Sequence, residues 1–145
     1  MPTLRGLRAR LRRRAAFALA ALVVCFAAVT WYALEGKDAV VLRTQRPDGS
    51  IQETHVWVAG DAERPAIESA TAERSWYRNL LANPDVELRR RDGTLRRHRA
   101  VPEPGEAGHR EIRALLRAKY GWADVWVGWL QDTSQSILVR LEPRD

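Results

Sequence analysis

The chain of 145 residues is long enough for one domain, and its formal net charge of +6 is unevenly distributed. Six arginines lie in the first fourteen residues with no acidic residue among them: Arg5, Arg8, Arg10, Arg12, Arg13 and Arg14. Without them, the remaining 18 basic residues balance the 18 acidic ones. The positive charge therefore belongs to the N-terminal segment, and nucleic acid is not an expected partner of the domain.

An uncharged apolar run follows over residues 15–34. As a helix it is about 30 Å long, the thickness of the hydrocarbon core of a bilayer. A cleaved signal peptide is the alternative, but Trp31 occupies the place where a cleavage site needs a small residue. Trp31 and Tyr32 also suit the aromatic belt at a membrane interface. We therefore expect an uncleaved anchor that contacts membrane lipids.

This run divides the chain into a basic segment of residues 1–14, a transmembrane anchor of residues 15–34 and a domain of residues 35–145. The arginines precede the span, whereas Glu35, Lys37 and Asp38 follow it. The positive-inside rule then predicts a single-pass membrane protein with a cytoplasmic N-terminus and a domain on the outer face.

Metal and self-contained hydrolytic chemistry have no sequence signature. The lone cysteine, Cys25, lies in the apolar run, and the histidines at positions 55, 98 and 109 lack the spacing of metal ligands. Neither a glycine-rich phosphate loop nor a nucleophile elbow is present. If the protein is an enzyme, a bound cofactor is expected to carry the chemistry.

Residues 73–88 join an amphipathic helix to a strand. Thr71 or Ser75 can cap the helix, Trp76 begins an apolar face at four-residue spacing, and Pro84 ends the helix. Period-two alternation then indicates a strand.

The rest of the domain is also predicted to consist of short elements. Alternation and turn residues predict strands over residues 39–44, 50–58, 65–69, 85–91, 94–101 and 136–141. Apolar stripes predict two helical pieces between residues 112 and 130, interrupted at Gly121. Because nothing has the long spacing of a parallel sheet, we expect an α+β fold, a small antiparallel barrel with packed helices.

The pattern Trp-Tyr-x-Asn-Leu-x-Ala-Asn-Pro-x-Val over residues 76–86 resembles the deazaflavin-dependent nitroreductase and quinone-reductase family. These proteins are split β-barrels related to the flavin-binding pyridoxamine-phosphate-oxidase group. The resemblance spans roughly residues 40–143. It implies a split barrel that binds a deazaflavin coenzyme or FMN and reduces a lipophilic acceptor such as a quinone or a nitro compound. A homodimer is one assembly compatible with it.

The resemblance implies a phosphate-binding turn at residues 44–49. The family's turn reads Thr-Gly-Arg-Lys-Ser-Gly, and here Thr44, Arg46 and Gly49 match it. Pro47 and Asp48 depart from it. Pro47 removes a cation and a backbone donor, and Asp48 adds a negative charge. An ordinary hairpin turn with a solvated arginine is the alternative reading.

Five further residues are implied to approach the cofactor. His55 and Trp57 lie on a strand that borders the flavin ring in related barrels, and Ser69, Trp76 and Asn79 surround the start of the following helix. A helix N-terminus favours an anionic group. The alternative for the aromatic residues is plain core packing.

Residues 119–124 resemble the family's Tyr-x-x-Tyr-Ala-Asp segment, which lies over the substrate pocket. This resemblance implies that Tyr120 is the catalytic donor to an acceptor oxygen and that Trp122 and Trp126 form an apolar pocket wall. Their helical spacing is equally compatible with core packing.

A second basic cluster lies in residues 88–99, where six arginines flank a hairpin turn. The cluster could bind lipid headgroups, a cofactor phosphate or an acidic tail, or it could protect an edge strand from aggregation. Three functions remain open at this point: a reductase, a non-catalytic ligand-binding barrel that has lost its cofactor turn, and a partner-binding appendage.

Overall fold

The computed structural model of the chain describes residues 4–35 and 39–144. Lys37 and Asp38, on which the expected orientation partly rests, lie outside this part of the chain. The elements, in chain order, are α1 (Leu4–Glu35), β1 (Ala39–Gln45), β2 (Ile51–Gly60), β3 (Pro65–Ser69), α2 (Ser75–Ala82), β4 (Asp85–Arg89), β5 (Leu95–Glu103), α3 (Glu106–Tyr120), α4 (Trp122–Leu130) and β6 (Ile137–Pro143).

The six strands form a closed antiparallel barrel in the order β1-β2-β3-β6-β5-β4. β1 pairs with β2 along its whole length, from Ala39 opposite Trp57 to Gln45 opposite Ile51. Its other edge pairs with β4 over three residues. Closure pairs every strand on both sides, which satisfies backbone groups that an open sheet would expose. The predicted α+β barrel with packed helices is therefore confirmed.

The barrel interior is an apolar core that α2 closes at one end. Alternate residues of the strands point inward, and α2 adds Trp76, Tyr77 and Leu80, which are all at most 5% exposed. The sequence pattern also predicted Leu81 on this apolar face, but that side chain is 58% exposed. The helix is short, so only one side of its two turns reaches the barrel.

α3 and α4 pack on the outside of the barrel over a second apolar cluster. This cluster joins Ile112, Leu116 and Tyr120 of α3 to Ala59 and Ala66 of the barrel wall. The small alanine side chains let the helix approach the sheet closely. The opposite end of the barrel, where β1, β3 and β5 begin, is left open.

α1 contains a 22-residue apolar segment, Arg12–Ala33, with a mean hydropathy of 2.1. By length and composition it is able to cross a membrane. Its last two turns also belong to the folded domain, because Ala33 is 1% exposed within the second cluster and Trp126 of α4 donates a hydrogen bond to Thr30 Oγ1 at 3.2 Å. α1 thus packs on the folded domain at α4.

The predicted element order agrees with the structure, with one correction at the start of α2. The helix begins at Ser75 with Arg74 at the N-cap position, and no side chain caps it. The Ser75 hydroxyl instead accepts a hydrogen bond from Gln52 Nε2, and the Thr71 carbonyl accepts one from the Ser69 hydroxyl. Ser75 is therefore used in a tertiary contact with β2, whereas the Thr71 bond is local.

Candidate functional site

The barrel wall has a gap where β2 extends past β3. Only residues 58–60 of β2 pair with β3, whereas residues 51–57 pair with β1 alone among the residues described. β3 ends at Ser69, and the chain then turns away into α2. One edge of β2 is therefore left with backbone donors and acceptors that the sheet does not use.

A cavity of about 290 Å³ occupies this gap; we call it the β2–α2 groove. Its walls come from β2, the end of β3, the start of α2 and the end of α4. The lining residues are Ala39, Thr54, His55, Val56, Trp57, Glu68, Ala70, Arg74, Trp76, Val127 and Gln131. Its size approaches the lower end of the range for small-molecule sites, which is about 300 Å³.

Three residues that the family resemblance assigns to the cofactor meet in this groove: His55, Trp57 and Trp76. The Trp57 ring is stacked on Tyr120, with centroids 4.4 Å apart and an interplanar angle of 19°. This contact fixes the orientation of the indole. Trp76 is 5% exposed and lines the groove from α2. The groove thus offers a rigid aromatic surface to a flat ring.

The start of α2 supplies an anion-favouring end to the same groove. The first helical backbone donor to find a backbone acceptor is Arg78 N, which bonds to Arg74 O at 3.0 Å. The earlier amides point out of the helix end, where the dipole favours negative charge, and no acidic residue occupies the first turn. The exposed guanidinium of Arg74 adds a full positive charge there, held at 3.4 Å from Gln131 Oε1.

The groove's one carboxylate among the described residues, Glu68, is already compensated. Its Oε1 accepts a hydrogen bond from Arg113 Nη1 at 2.8 Å. Arg113 also donates to Asp124 Oδ1 at 2.6 Å, and Arg117 Nε donates to Asp124 Oδ2 at 3.0 Å. Burial opposes the charge of Arg113, but the carboxylates of Glu68 and Asp124 outweigh it and raise the pKa of its guanidinium. This ion-pair cluster joins β3, α3 and α4 behind the groove.

Thr44 and Asn79, also assigned to the cofactor, lie together in a buried polar network next to the groove. Asn79 Nδ2 donates to Thr44 Oγ1 at 3.1 Å and to Gln52 Oε1 at 3.0 Å. Gln52 Nε2 in turn donates to Ser75 Oγ at 2.8 Å. Ser69 is fully buried and donates to Thr71 O at 2.8 Å. These groups hold α2 against β1 and β2, and so they position the helix start rather than line the groove.

Arg46 and Gly49 are at the tip of the β1–β2 hairpin. Arg46 Nη1 donates to Ser50 Oγ at 3.1 Å and to Ile51 O at 3.3 Å, which folds the side chain over its own turn. Gly49 has a φ of +84°, a conformation that favours glycine, and its amide donates to Arg46 O. The Asp48 carboxylate accepts two hydrogen bonds from Ser50, which lower its pKa. The geometry therefore agrees with the alternative reading of an ordinary hairpin turn.

Tyr120 does not have the position expected of a catalytic donor. It is 1% exposed, and its hydroxyl donates to Val58 O at 2.9 Å, an oxygen that also accepts from Lys119 Nζ at 2.7 Å. It lines neither the groove nor the open end of the barrel. In this structure Tyr120 is a core residue that locks α3 to β2.

Trp122 and Trp126 face α1 instead of a pocket. Trp122 is stacked on Tyr32, with centroids 6.2 Å apart and an angle of 6°, and Trp126 lies 5.4 Å from Phe26. Contact with α1 leaves Trp126 partly buried and Trp122 48% exposed, so neither is a fully buried core residue. Neither side chain lines the β2–α2 groove.

Several groove residues were not singled out from the sequence. Arg74 carried a usable signal, since it is a cation immediately before a predicted helix start. Val127 and Gln131 carried none, because their place in the groove depends on how α4 lies against the barrel. Local sequence therefore predicts only some of the residues that line the groove.

Comparison with known proteins supports the architecture. No family model and no curated protein matches this sequence. Among solved structures, an F420 reductase matches with 23% identity and a TM-score of 0.54, covering 79% of this chain and 93% of that one. A candidate pyridoxamine 5'-phosphate oxidase of Listeria innocua matches with 16% identity and a TM-score of 0.55, covering 78% and 89%.

A third similar structure is HutZ, a haem storage protein of Vibrio cholerae, with 16% identity, a TM-score of 0.57 and coverage of 79% and 86%. The chain has a split-barrel fold. This architecture is shared with flavin- and deazaflavin-related proteins and, on the evidence of HutZ, with a haem-storing one. At these identities the likeness concerns the fold alone, and function must be argued from the site.

Proposed function

We propose that the protein is a membrane-anchored reductase that binds a deazaflavin coenzyme, or alternatively FMN, in the β2–α2 groove. It passes hydride or electrons to a lipophilic acceptor such as a quinone or a nitro compound. The observation that supports this proposal is the groove itself, which combines a rigid aromatic surface, a strand edge that β3 does not cover and a cationic helix start within one cavity.

Each part of the groove fits one part of such a cofactor. The helix start and Arg74 suit a phosphate, because backbone amides and a guanidinium both donate to its oxygens. The backbone of β2 beyond the end of β3 suits the polar rim of a heterocycle, and Trp57 suits its face. The bound cofactor would supply the hydride, and Ala70 adds a small side chain to the groove lining.

The neighbouring helices support a lipophilic acceptor. Val127 of α4 and Gln131, the residue after the helix, line the groove, and α4 packs on α1. α4 also exposes Trp129 and Leu130, at 78% and 49%. Exposed aromatic and aliphatic side chains beside an apolar span suit the interfacial zone of a bilayer. A membrane-dissolved acceptor would therefore have a short path from lipid to groove.

We propose that the barrel lies on the outer face, as the positive-inside rule indicates. A cysteine introduced at the exposed position Ala118 in a Cys25→Ser background is expected to react with a membrane-impermeant maleimide added to intact cells. The control is the same cells after permeabilisation. Labelling only after permeabilisation would reverse the orientation and put the barrel beside the cytoplasmic cofactor supply.

The proposed cofactor site is tested by titrating the full chain, in nanodiscs, with FMN and with a deazaflavin while tryptophan fluorescence is followed. The full chain is needed because α1 is packed into the domain. Arg74→Gln is expected to weaken binding about tenfold, since it removes a charge-assisted contact of about 1.4 kcal/mol. Arg78→Gln, which removes the same charge one turn along α2, serves as the matched control. Absence of saturable binding of either cofactor would overturn the proposal.

A non-catalytic ligand-binding barrel is the second candidate, and two observations favour it. Arg46 is folded over its own hairpin, and the hydroxyl of Tyr120 is bonded inside the core. The two candidates differ in turnover. A reductase loaded with its cofactor is expected to reduce menadione, and Arg74→Gln is expected to slow this reaction. A binding module would hold a ligand in the groove without turnover.

A further inference from the structure

The end of the barrel opposite α2 contains a second and larger cavity, of about 750 Å³, which we call the basic mouth. Its inner surface is formed by apolar residues at the outer layer of the barrel core, namely Val40, Val58, Pro65 and Leu88. It is separate from the β2–α2 groove, from which it differs in all but one lining residue. A cavity of this volume is large enough for a small-molecule ligand.

The rim of the basic mouth is strongly cationic. Its charged lining residues are Arg90, Arg91, Arg96, Arg97, Lys119 and Arg144, against Asp92 alone. These residues come from three parts of the chain: the β4–β5 hairpin, the end of α3 and the residue that follows β6. Tertiary structure thus brings further cations to an arginine cluster that is already dense in the sequence.

Two of these arginines form no ion pair within 4 Å among the described residues, although the charge of Arg90 is near enough to Asp92 to help its hydrogen bonds with Thr94 lower the pKa of that carboxyl. Arg144 pairs with Asp85, and Arg97 Nε lies 3.7 Å from Glu87 Oε1. For Arg90 and Arg96 no ion pair within 4 Å occurs in the described part of the chain. The positive potential also reaches the cavity floor, where burial and then the charges of Arg96 and Arg90 lower the pKa of His98.

Protection of an edge accounts for part of this cluster, because the β4–β5 hairpin extends past its neighbours: β1 pairs with β4 only as far as Arg89, and β6 pairs with β5 only from His98 onward. Edge protection does not require the cations to converge around one cavity, as these do. Like charges at a cavity mouth repel one another unless an anion joins them. An apolar floor below a cationic rim is complementary to a molecule with an apolar body and an anionic group.

We propose that the basic mouth is a second binding site, for an amphipathic anion. The apolar body would lie on Val40, Val58 and Leu88, and a carboxylate, sulfonate or phosphate would lie between Arg90 and Arg96. The same chemistry is offered by a soluble single-chain carboxylate and by an anionic lipid of the bilayer, and the experiment below separates these two sources. The site is independent of the proposed cofactor groove.

The test uses the full chain in phosphatidylcholine nanodiscs, titrated with 1-anilinonaphthalene-8-sulfonate and corrected with empty nanodiscs. The double variant Arg90→Gln/Arg96→Gln is expected to weaken binding of this probe at least about tenfold. The matched control, Arg78→Gln/Arg110→Gln, removes two exposed arginines outside the mouth and should leave the affinity unchanged. Circular dichroism verifies that both variants are folded.

Competition then identifies the ligand class and its source. Decanoate is expected to displace the probe, whereas pyrophosphate, which lacks an apolar body, is expected to do so only weakly. Weaker probe binding in phosphatidylglycerol nanodiscs would assign the site to an anionic lipid, and unchanged binding would assign it to a soluble anion. Equal affinities of the double variant and its control, no saturable binding, or displacement by pyrophosphate as strong as by decanoate would each overturn the proposal.

Discussion

Replacement of Asp124 by asparagine is expected to lower the free energy of unfolding by about 3 kcal/mol. The carboxylate is 2% exposed and accepts hydrogen bonds from both Arg113 and Arg117. The substitution keeps the size of the side chain but removes its charge, which leaves the largely buried guanidinium of Arg113 with Glu68 as its remaining carboxylate partner. Uncompensated buried charge is among the costliest consequences of a single substitution.

This prediction is checked by urea unfolding of the full chain in a mild non-ionic detergent, followed by tryptophan fluorescence. Arg110→Gln is the control, because it breaks the exposed pair of Arg110 with Glu106 and should cost less than about 1 kcal/mol. The expectation fails if Asp124→Asn unfolds at the same urea concentration as the native chain. In that case the cluster behind the groove would contribute no net stability.

Replacement of Val127 by tryptophan is expected to weaken cofactor binding about 100-fold, which corresponds to about 2.7 kcal/mol. Val127 lines the β2–α2 groove from α4 and is only partly buried, so a larger side chain can extend into the cavity without entering the barrel core. With a cavity of about 290 Å³, an added indole leaves little room for a flat ring. The effect is steric and does not depend on which cofactor binds.

The measurement is the same fluorescence titration with FMN and a deazaflavin, performed on the full chain. Ala118→Trp supplies the control, since it adds an identical side chain to the exposed face of α3, outside both cavities. Thermal unfolding of both variants verifies that the fold is retained. Native affinity in Val127→Trp would mean that any cofactor binds elsewhere, even if the chain is a reductase.

The groove lies on the side of the barrel next to α4, so α1 supports the groove wall. Trp126 bonds to Thr30, and Trp122 stacks on Tyr32, so α1 and the α4 wall of the groove form one packed unit. Removal of α1 would expose these aromatic faces and would leave a cavity in the second cluster where Ala33 now packs. Binding measured on a truncated domain would therefore report on an altered groove wall.

The sequence alone determined the secondary structure and the fold class. Strict alternation marked β2 and β4, the Asn83-Pro84 pair ended α2, and the Asp92-Gly93 turn joined β4 to β5. These features act within a few residues of one another, so local steric and hydrogen-bonding rules predict them.

Only the tertiary structure decided which surfaces cover the apolar faces and where the cavities lie. Periodicity placed Tyr120, Trp122 and Trp126 on apolar faces, but it does not specify the partner, which proved to be β2 for the first and α1 for the others. The groove exists because β2 extends past β3, and the basic mouth exists because barrel closure brings Lys119 and Arg144 to the arginine hairpin. Both depend on contacts between residues far apart in the chain, which no local pattern contains.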